Sequence, residues 1–225
     1  FTRIAVRYCY RPICDGLTMP DPINGVGAIF SVPYPSIVHW SRSFSGKPPW
    51  VKDRERPYLM SLIMEARTNR NPNFFGRAMV LRDKLWEVCV GYGAPDCLQA
   101  SPKKMQSIPG EVYDIYKKTE FCLQPQGDTC ERKGILDSLL AGCIPVLFNE
   151  PACPMNQVFH HHWGPWQNSS AVVFNVQDIL DKKVDVKATL EAIPQERRAR
   201  MRATIAKFGH LMQYNVEDPP EGQDD

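Results

Sequence analysis

The sequence has no run approaching the ~20 apolar residues that a membrane helix needs. It also has no C-x-x-C pair, no internal repeat and no clear excess of either charge. The first absence removes a membrane-spanning helix from these residues. The second, together with His residues that do not alternate with Cys at finger spacing, argues against structural zinc. Lys+Arg number 27 against 25 Asp+Glu, a formal net charge of +2. That balance offers no general attraction for polyanions, so nucleic acid is not implied and each Arg cluster has to be argued by itself. Neither the G-x-x-x-x-G-K-[ST] nor the G-x-G-x-x-G phosphate loop occurs. The chain opens on Phe1 rather than Met, with no signal peptide. The expectation is a partial or processed chain whose targeting segment lies upstream.

What is present is globular. The 225 residues are 43% hydrophobic and 23% charged, enough to bury a core in one large domain or two small ones. Eight cysteines are many for a cytosolic domain. Cys89 and Cys97 flank the turn-rich "VGYGAPD", a loop that a disulfide would close, and Cys9 and Cys14 are a second candidate pair. Cys122 and Cys143 lie in apolar runs and read as plain core residues. Asn168-Ser169-Ser170 is a glycosylation sequon in a polar stretch. Cysteines and sequon together tilt the compartment toward the secretory route.

Along the chain, strands alternate with helices. Residues 1–57 are rich in Pro, Gly and aromatics. Tyr58 to Met64 reads as a buried strand, and Arg77 to Val90 has helical spacing with Arg77, Arg82, Asp83 and Lys84 on its charged face. Pro109 to Lys118 is a short amphipathic helix, Ser170 to Val176 alternates like a strand, and two surface helices follow, the second started by Pro194. Residues 215–225 form an acidic tail without core potential. The pattern predicts an α/β domain over 58–214, a parallel sheet covered by helices on both faces. Ligands of such sheets bind at the carboxyl ends of the strands, here the loops after Met64 and Leu123. His160-His161-His162 reads as a loop rather than a metal site, since adjacent residues cannot all face one ion. Trp163 and Trp166 read as packing residues.

The stretch "FCLQPQGDTCERKGILDSLLAGCIPVLF" (121–148) concentrates the chemistry. Strand, turn, helix and strand follow one another. Asp128 with Glu131 would make a capping box, and Gly142 suits a left-handed helix end. On periodicity alone this is either a capped crossover helix or an anion cradle. Arg132 and Lys133 at the helix start favour the cradle, because the helix dipole disfavours cations there unless an anion offsets them. Asp137 is either a ribose ligand or the partner of Lys133 one turn earlier.

The same stretch closely resembles the signature of exostosin-like glycosyltransferases, especially their plant and algal branch. Phe121-Cys122-Leu123, Pro125, Gly127-Asp128-Thr129, Arg132-Lys133, Asp137-Ser138 and Ala141 to Val146 carry the match. Looser likenesses are "VPYPSIVHW" (32–40), Ala66-Arg67 with Arg77, Arg82, Cys89 and Cys97, and Ile193-Pro194 with the Arg-rich helix after it. Cys130 and Glu131 stand where relatives often have Tyr and a small polar residue.

The resemblance implies the C-terminal domain of a two-Rossmann-domain (GT-B) enzyme that transfers sugar from a UDP-sugar to a glycan or glycoprotein, inverting the anomeric carbon. Full-length relatives of this kind are Golgi type II membrane proteins with an acceptor-binding N-terminal domain. In such a site Gly127, Asp128, Thr129, Arg132, Lys133 and Arg67 face the donor diphosphate, Asp137 holds the ribose, and Ser36, His39 and Ser138 line the cleft. No metal or other cofactor is expected. No residue of the chain suggests itself as the catalytic base. The competing reading is an inactive exostosin-like domain kept as a structural or binding module.

Overall fold

The structure is a computed structural model that describes Pro33, Ser36, Trp40 and residues 48–52, 55–65, 72–101, 110–127, 130–151 and 153–213. Cys9, Cys14, His39, Arg67, Asp128, Thr129 and the acidic tail lie outside them, as do the side chains of 72–79, Arg77 included.

Five strands, β1 (Tyr58–Ile63), β2 (Cys97–Ala100), β3 (Thr119–Gln124), β4 (Ile144–Asn149) and β5 (Val172–Asn175), form one parallel sheet in the order β2-β1-β3-β4-β5. All six residues of β3 are buried, as expected for a central strand covered on both faces. Met60 and Leu62 share the main core with Leu81 and Leu85 of α1 (Pro72–Tyr92). Ile63 and Cys122 belong to a second cluster with Tyr116, Val112 and Ile115 of α2 (Gly110–Lys117). The strand period of two thus sends alternate side chains to opposite helical layers. α2 touches α3 (Lys133–Leu140), and α1 touches α5 (Val176–Leu180).

The expected helices and strands are present, with shifted ends. α1 starts earlier than its spacing predicts, with Pro72 as its first residue, where a missing N–H costs nothing. β2 has no counterpart in the sequence reading: "CLQA" is too short to show alternation, and its pairing with β1 makes it a strand. The His triplet is not a loop. With Trp163 it forms a single helical turn, α4 (His160–Trp163), that buries Trp163 and leaves His160 and His161 exposed. Trp163 and Trp166 are core residues, the Trp163 indole donating to Ser170 Oγ. α6 (Val186–Glu191) and α7 (Gln195–Phe208) follow, with Pro194 at the N-cap of α7.

β1 feeds a helix that leads outward to β2, and β3 feeds one that leads the other way to β4. The crevice between β1 and β3 is therefore the topological switch point of the sheet, the place where such folds bind ligands.

Described residues of the N-terminal segment pack on this domain. The Trp40 indole donates to Leu140 O (3.0 Å), and its backbone exchanges two hydrogen bonds with the Gln213 amide (2.9 and 3.1 Å). Arg56 donates to Tyr116 O, Thr119 O and Ala141 O, placing a cation on the carboxyl ends of α2 and α3.

Candidate functional site

α3 supplies the centre of the site. Its apolar residues Ile135, Leu136, Leu139 and Leu140 are fully buried, which fixes its axis against the sheet. Its end is a Schellman motif: Cys143 N–H bonds Ser138 O, Gly142 N–H bonds Leu139 O, and Gly142 has φ 71°. A Cβ at Gly142 would lie 2.4 Å from the Trp50 ring. The start of α3 needs a second small residue. At Gly134 a Cβ would meet Gln124 Oε1 at 2.5 Å and the Tyr116 hydroxyl at 3.1 Å. The first turn thus sits directly on the carboxyl end of β3.

The capping box does not form. α3 begins at Lys133, with Arg132 extended at the N-cap, so Glu131 lies before the helix rather than in its first turn. Arg132 is half-buried. Its guanidinium donates to Pro125 O (2.7 Å) and Ile63 O (3.3 Å), joining the ends of β3 and β1 across the switch point. Burial lowers its pKa, and the neighbouring Tyr116 partly opposes this; the guanidinium donates to backbone carbonyl dipoles.

Arg82 does the same from the other side of the sheet. The sequence places it on a charged helix face, yet it is 7% exposed and donates to Gln126 O (3.0 Å) and Glu65 O (3.4 Å). Its position in sequence beside Asp83 and Lys84 hid it among surface charges; only the loops after β1 and β3 reveal its place. Gln126, also missed, is buried and donates from Nε2 to Phe148 O (3.1 Å), tying the β3 loop to β4. Gly127 follows, where, among the described residues, a Cβ would meet only Arg82 Nη1 at 4.0 Å.

Asp137 is buried and accepts bonds from Lys133 Nζ (2.8 and 2.6 Å) and from Ser36 Oγ (2.7 Å). Ser36 and Lys133, predicted for the cleft and the diphosphate, thus converge on the predicted ribose ligand. The Lys133 side chain remains 46% exposed. Ser138, another cleft candidate, faces away from solvent and donates to Ile135 O. Beneath the first turn, Gln124 Nε2 donates to the Tyr116 hydroxyl (3.1 Å). Burial raises the pKa of that phenol, Arg132 and the Gln124 hydrogen bond lower it, and Asp137 raises it.

Three disulfides are present among the described residues. Cys89–Cys97 closes the α1–β2 loop as expected. Cys122 and Cys143 are not free core thiols: β3 runs beside the entry to β4, their Cα atoms are 5.9 Å apart, and they are bonded. Cys130–Cys153 links the loop before α3 to the loop after β4. Asn168 is exposed, while Ser170 of its sequon is buried and bonded to Trp163, Trp166 and Gln167. Among the described residues no group of three or more His, Cys, Asp or Glu side chains is arranged to hold a metal, and no helix is long and apolar enough to cross a membrane.

A doubly wound parallel sheet with cationic side chains and a helix start at its switch point defines an α/β domain of the kind that binds phosphorylated ligands. The chain belongs to the exostosin family of glycosyltransferases: the model of the Exostosin GT47 domain matches residues 21–191. Among similar proteins of Arabidopsis thaliana is a probable xyloglucan galactosyltransferase, GT12, 30% identical over 190 residues, 83% of this chain and 35% of that protein. The xyloglucan galactosyltransferase MUR3 is 26% identical over 181 residues, 78% of this chain and 28% of that protein. The xyloglucan-specific galacturonosyltransferase 1 is 28% identical over 192 residues, 78% of this chain and 25% of that protein. The chain spans about a third of the length of the curated relatives it matches.

Proposed function

We propose that this domain binds the diphosphate of a UDP-sugar at the first turn of α3 and serves in transfer of the sugar to a glycan acceptor, with inversion at the anomeric carbon. The observation that carries the reading is the placement of Arg132 and Lys133 at a helix start in the switch-point crevice, in a first turn without an acidic residue. An anion there meets helix N–H groups, a half-exposed Lys133 head and the Gly127 backbone. Arg132 keeps both strand ends in place and contributes its charge from just below. In this reading Lys133 leaves Asp137 for the diphosphate, and the Asp137 carboxylate, still held by Ser36, accepts the ribose hydroxyls.

In the transfer step charge builds on the departing UDP. Lys133, the helix start and Arg132 stabilise it without reorganising, the largest contribution such a site makes. The reading needs no metal, since these cations take that part. Deprotonating the acceptor hydroxyl requires a general base, which we assign, with acceptor binding, to sequence beyond this domain. The relatives are named for galactose and galacturonic acid transfer to xyloglucan, so UDP-galactose, UDP-galacturonate and a polysaccharide acceptor are the first substrates to try. Three disulfides fit an oxidising compartment, here the Golgi lumen, with a membrane anchor outside the described residues.

A second reading, a donor-free structural or binding module, is favoured by the closed Ser36–Asp137–Lys133 triad, which satisfies itself without a ligand. Calorimetric titration with UDP separates the two. The donor reading expects binding that Lys133→Ala and Asp137→Ala each weaken by ~1.5–3 kcal/mol, the range for hydrogen bonds to charged groups. A folded chain that takes up no UDP leaves the module reading.

A further inference from the structure

Among the described residues, the N-cap and first turn of α3 carry neither of two devices that usually fix where a helix begins. Arg132 at the N-cap makes no side-chain cap bond, and the first turn holds no acidic residue. A helix start without such a cap is prone to fraying, and on the donor reading Arg132 at the N-cap and Lys133 at the first helical position carry the charge that meets the diphosphate. Two residues before the N-cap stands Cys130, bonded to Cys153.

The far end of that bond is rigid. Cys153 is fully buried in the main core. Its N–H bonds Glu150 O (2.9 Å) in an isolated antiparallel bridge, and two residues on Met155 N–H bonds Asn149 Oδ1 (2.9 Å). The segment leaving β4 is therefore folded tightly back on the strand end. Cys130 is half-buried in the loop that leaves β3. The bond carries the fixed position of the β4 end to the entry of α3. Gln126, bonded to Phe148 O, fixes the other end of the same loop to the same strand. The remaining two disulfides do neither: Cys89–Cys97 closes the α1–β2 loop and Cys122–Cys143 joins β3 to the amino end of β4.

We propose that the Cys130–Cys153 disulfide is the positioning element of the donor site, standing in for the missing helix cap and holding Arg132 and Lys133 where a diphosphate meets them. The proposal rests on the donor reading above for its ligand and on geometry alone for the ordering of the loop. The two parts are read separately.

The test compares Cys130→Ser/Cys153→Ser with Cys89→Ser/Cys97→Ser in the full chain. One measurement is the UDP dissociation constant, the other amide hydrogen exchange over residues 130–135 without ligand. If the uncrosslinked loop holds the binding geometry only about a tenth of the time, apparent affinity falls about tenfold. We expect that loss, with faster exchange at 130–135, in the first pair only. The second pair is expected to lose thermal stability while keeping wild-type affinity and exchange at 130–135. Unchanged affinity and exchange in the first pair overturns the proposal, as does an equal loss in both pairs. If the wild type binds no UDP while exchange at 130–135 still depends on Cys130–Cys153, the donor reading falls and the ordering role stands. If the serine pair fails to fold, Cys130→Ala/Cys153→Val, which refills the buried end with an apolar group, is measured in its place.

Discussion

Gly127 and Tyr116 separate what the site does from what the fold needs. Gly127 has room for a methyl group, so Gly127→Ala should leave the unfolding midpoint within ~0.5 kcal/mol of wild type. If the donor reading holds, the added Cβ would nevertheless stand where a diphosphate approaches the backbone, and UDP affinity should drop while circular dichroism is unchanged. Tyr116 tests the floor beneath the first turn. Its folded pKa is raised above the ordinary 10.0 by burial, so the folded state keeps the proton after the unfolded chain has lost it. That contribution is fully present below pH ~10 and is lost as pH rises from there toward the folded pKa. Urea midpoints measured between neutral and strongly alkaline pH should fall above pH ~10 in the wild type and fall less in Tyr116→Phe. At this scale the sequence was a partial guide. Asp137, Lys133 and Ser36 were legible because helical spacing and a matched motif pointed to them, and the structure brings the three together. Arg82 was not, because a guanidinium in a run with Asp83 and Lys84 looks solvated until the loops it supports are folded above it. Cys122 and Cys143 looked apolar because each sits in an apolar run; their bond depends on which strands are neighbours, and that is a property of topology.

α3 is the element on which the site depends, and its two ends are held by different means. The carboxyl end is encoded locally. Gly142 takes a positive φ, completes the Schellman motif and lies against Trp50, features that follow from one residue without a side chain. Gly142→Ala meets both the left-handed backbone and the 2.4 Å approach to the indole, so a loss of ~2–4 kcal/mol is expected from strain and overpacking together. Chemical denaturation gives that value directly. The amino end is not encoded locally. Asp128 and Glu131 have the spacing of a capping box, but Arg132 is extended at the N-cap and the helix starts at Lys133. The sequence therefore locates the end of α3 and only brackets its beginning between Asp128 and Lys133, where the structure starts it at Lys133. β2 shows the same limit, since four residues carry no period and become a strand only by pairing with β1.

Across the whole molecule, segments far apart in sequence close over the same helix. Trp40 joins Leu140 and Gln213, Arg56 joins the ends of α2 and α3, and Arg202 of α7 pairs with Glu120 of β3 at 2.5 Å between largely buried side chains. Pro- and aromatic-rich composition marked residues 1–57 as separate from the domain that follows, yet the described tryptophans of that segment pack into it. Composition reports local flexibility and says nothing about where an indole docks. Trp40→Ala removes the Leu140 bond and the ring beside Gly209, where a Cβ would already stand 2.4 Å from it. Because Trp40 is half-buried, a cost of up to ~3 kcal/mol is expected, below the range for a fully buried Trp. A chain of this size should then melt several degrees lower, roughly 2–4 °C per kcal/mol. Scanning calorimetry on the variant measures it.

The bonds Cys122–Cys143 and Cys130–Cys153 overlap along the chain, and α3, from Lys133 to Leu140, lies inside both covalent rings. A peptide cut anywhere from Glu131 to Gly142 therefore separates no fragment, because two bridges span the nick. A protease site engineered into that stretch should yield one band on a non-reducing gel and two after reduction. The chain can thus be severed beside Arg132 and Lys133 while the domain remains one covalent body.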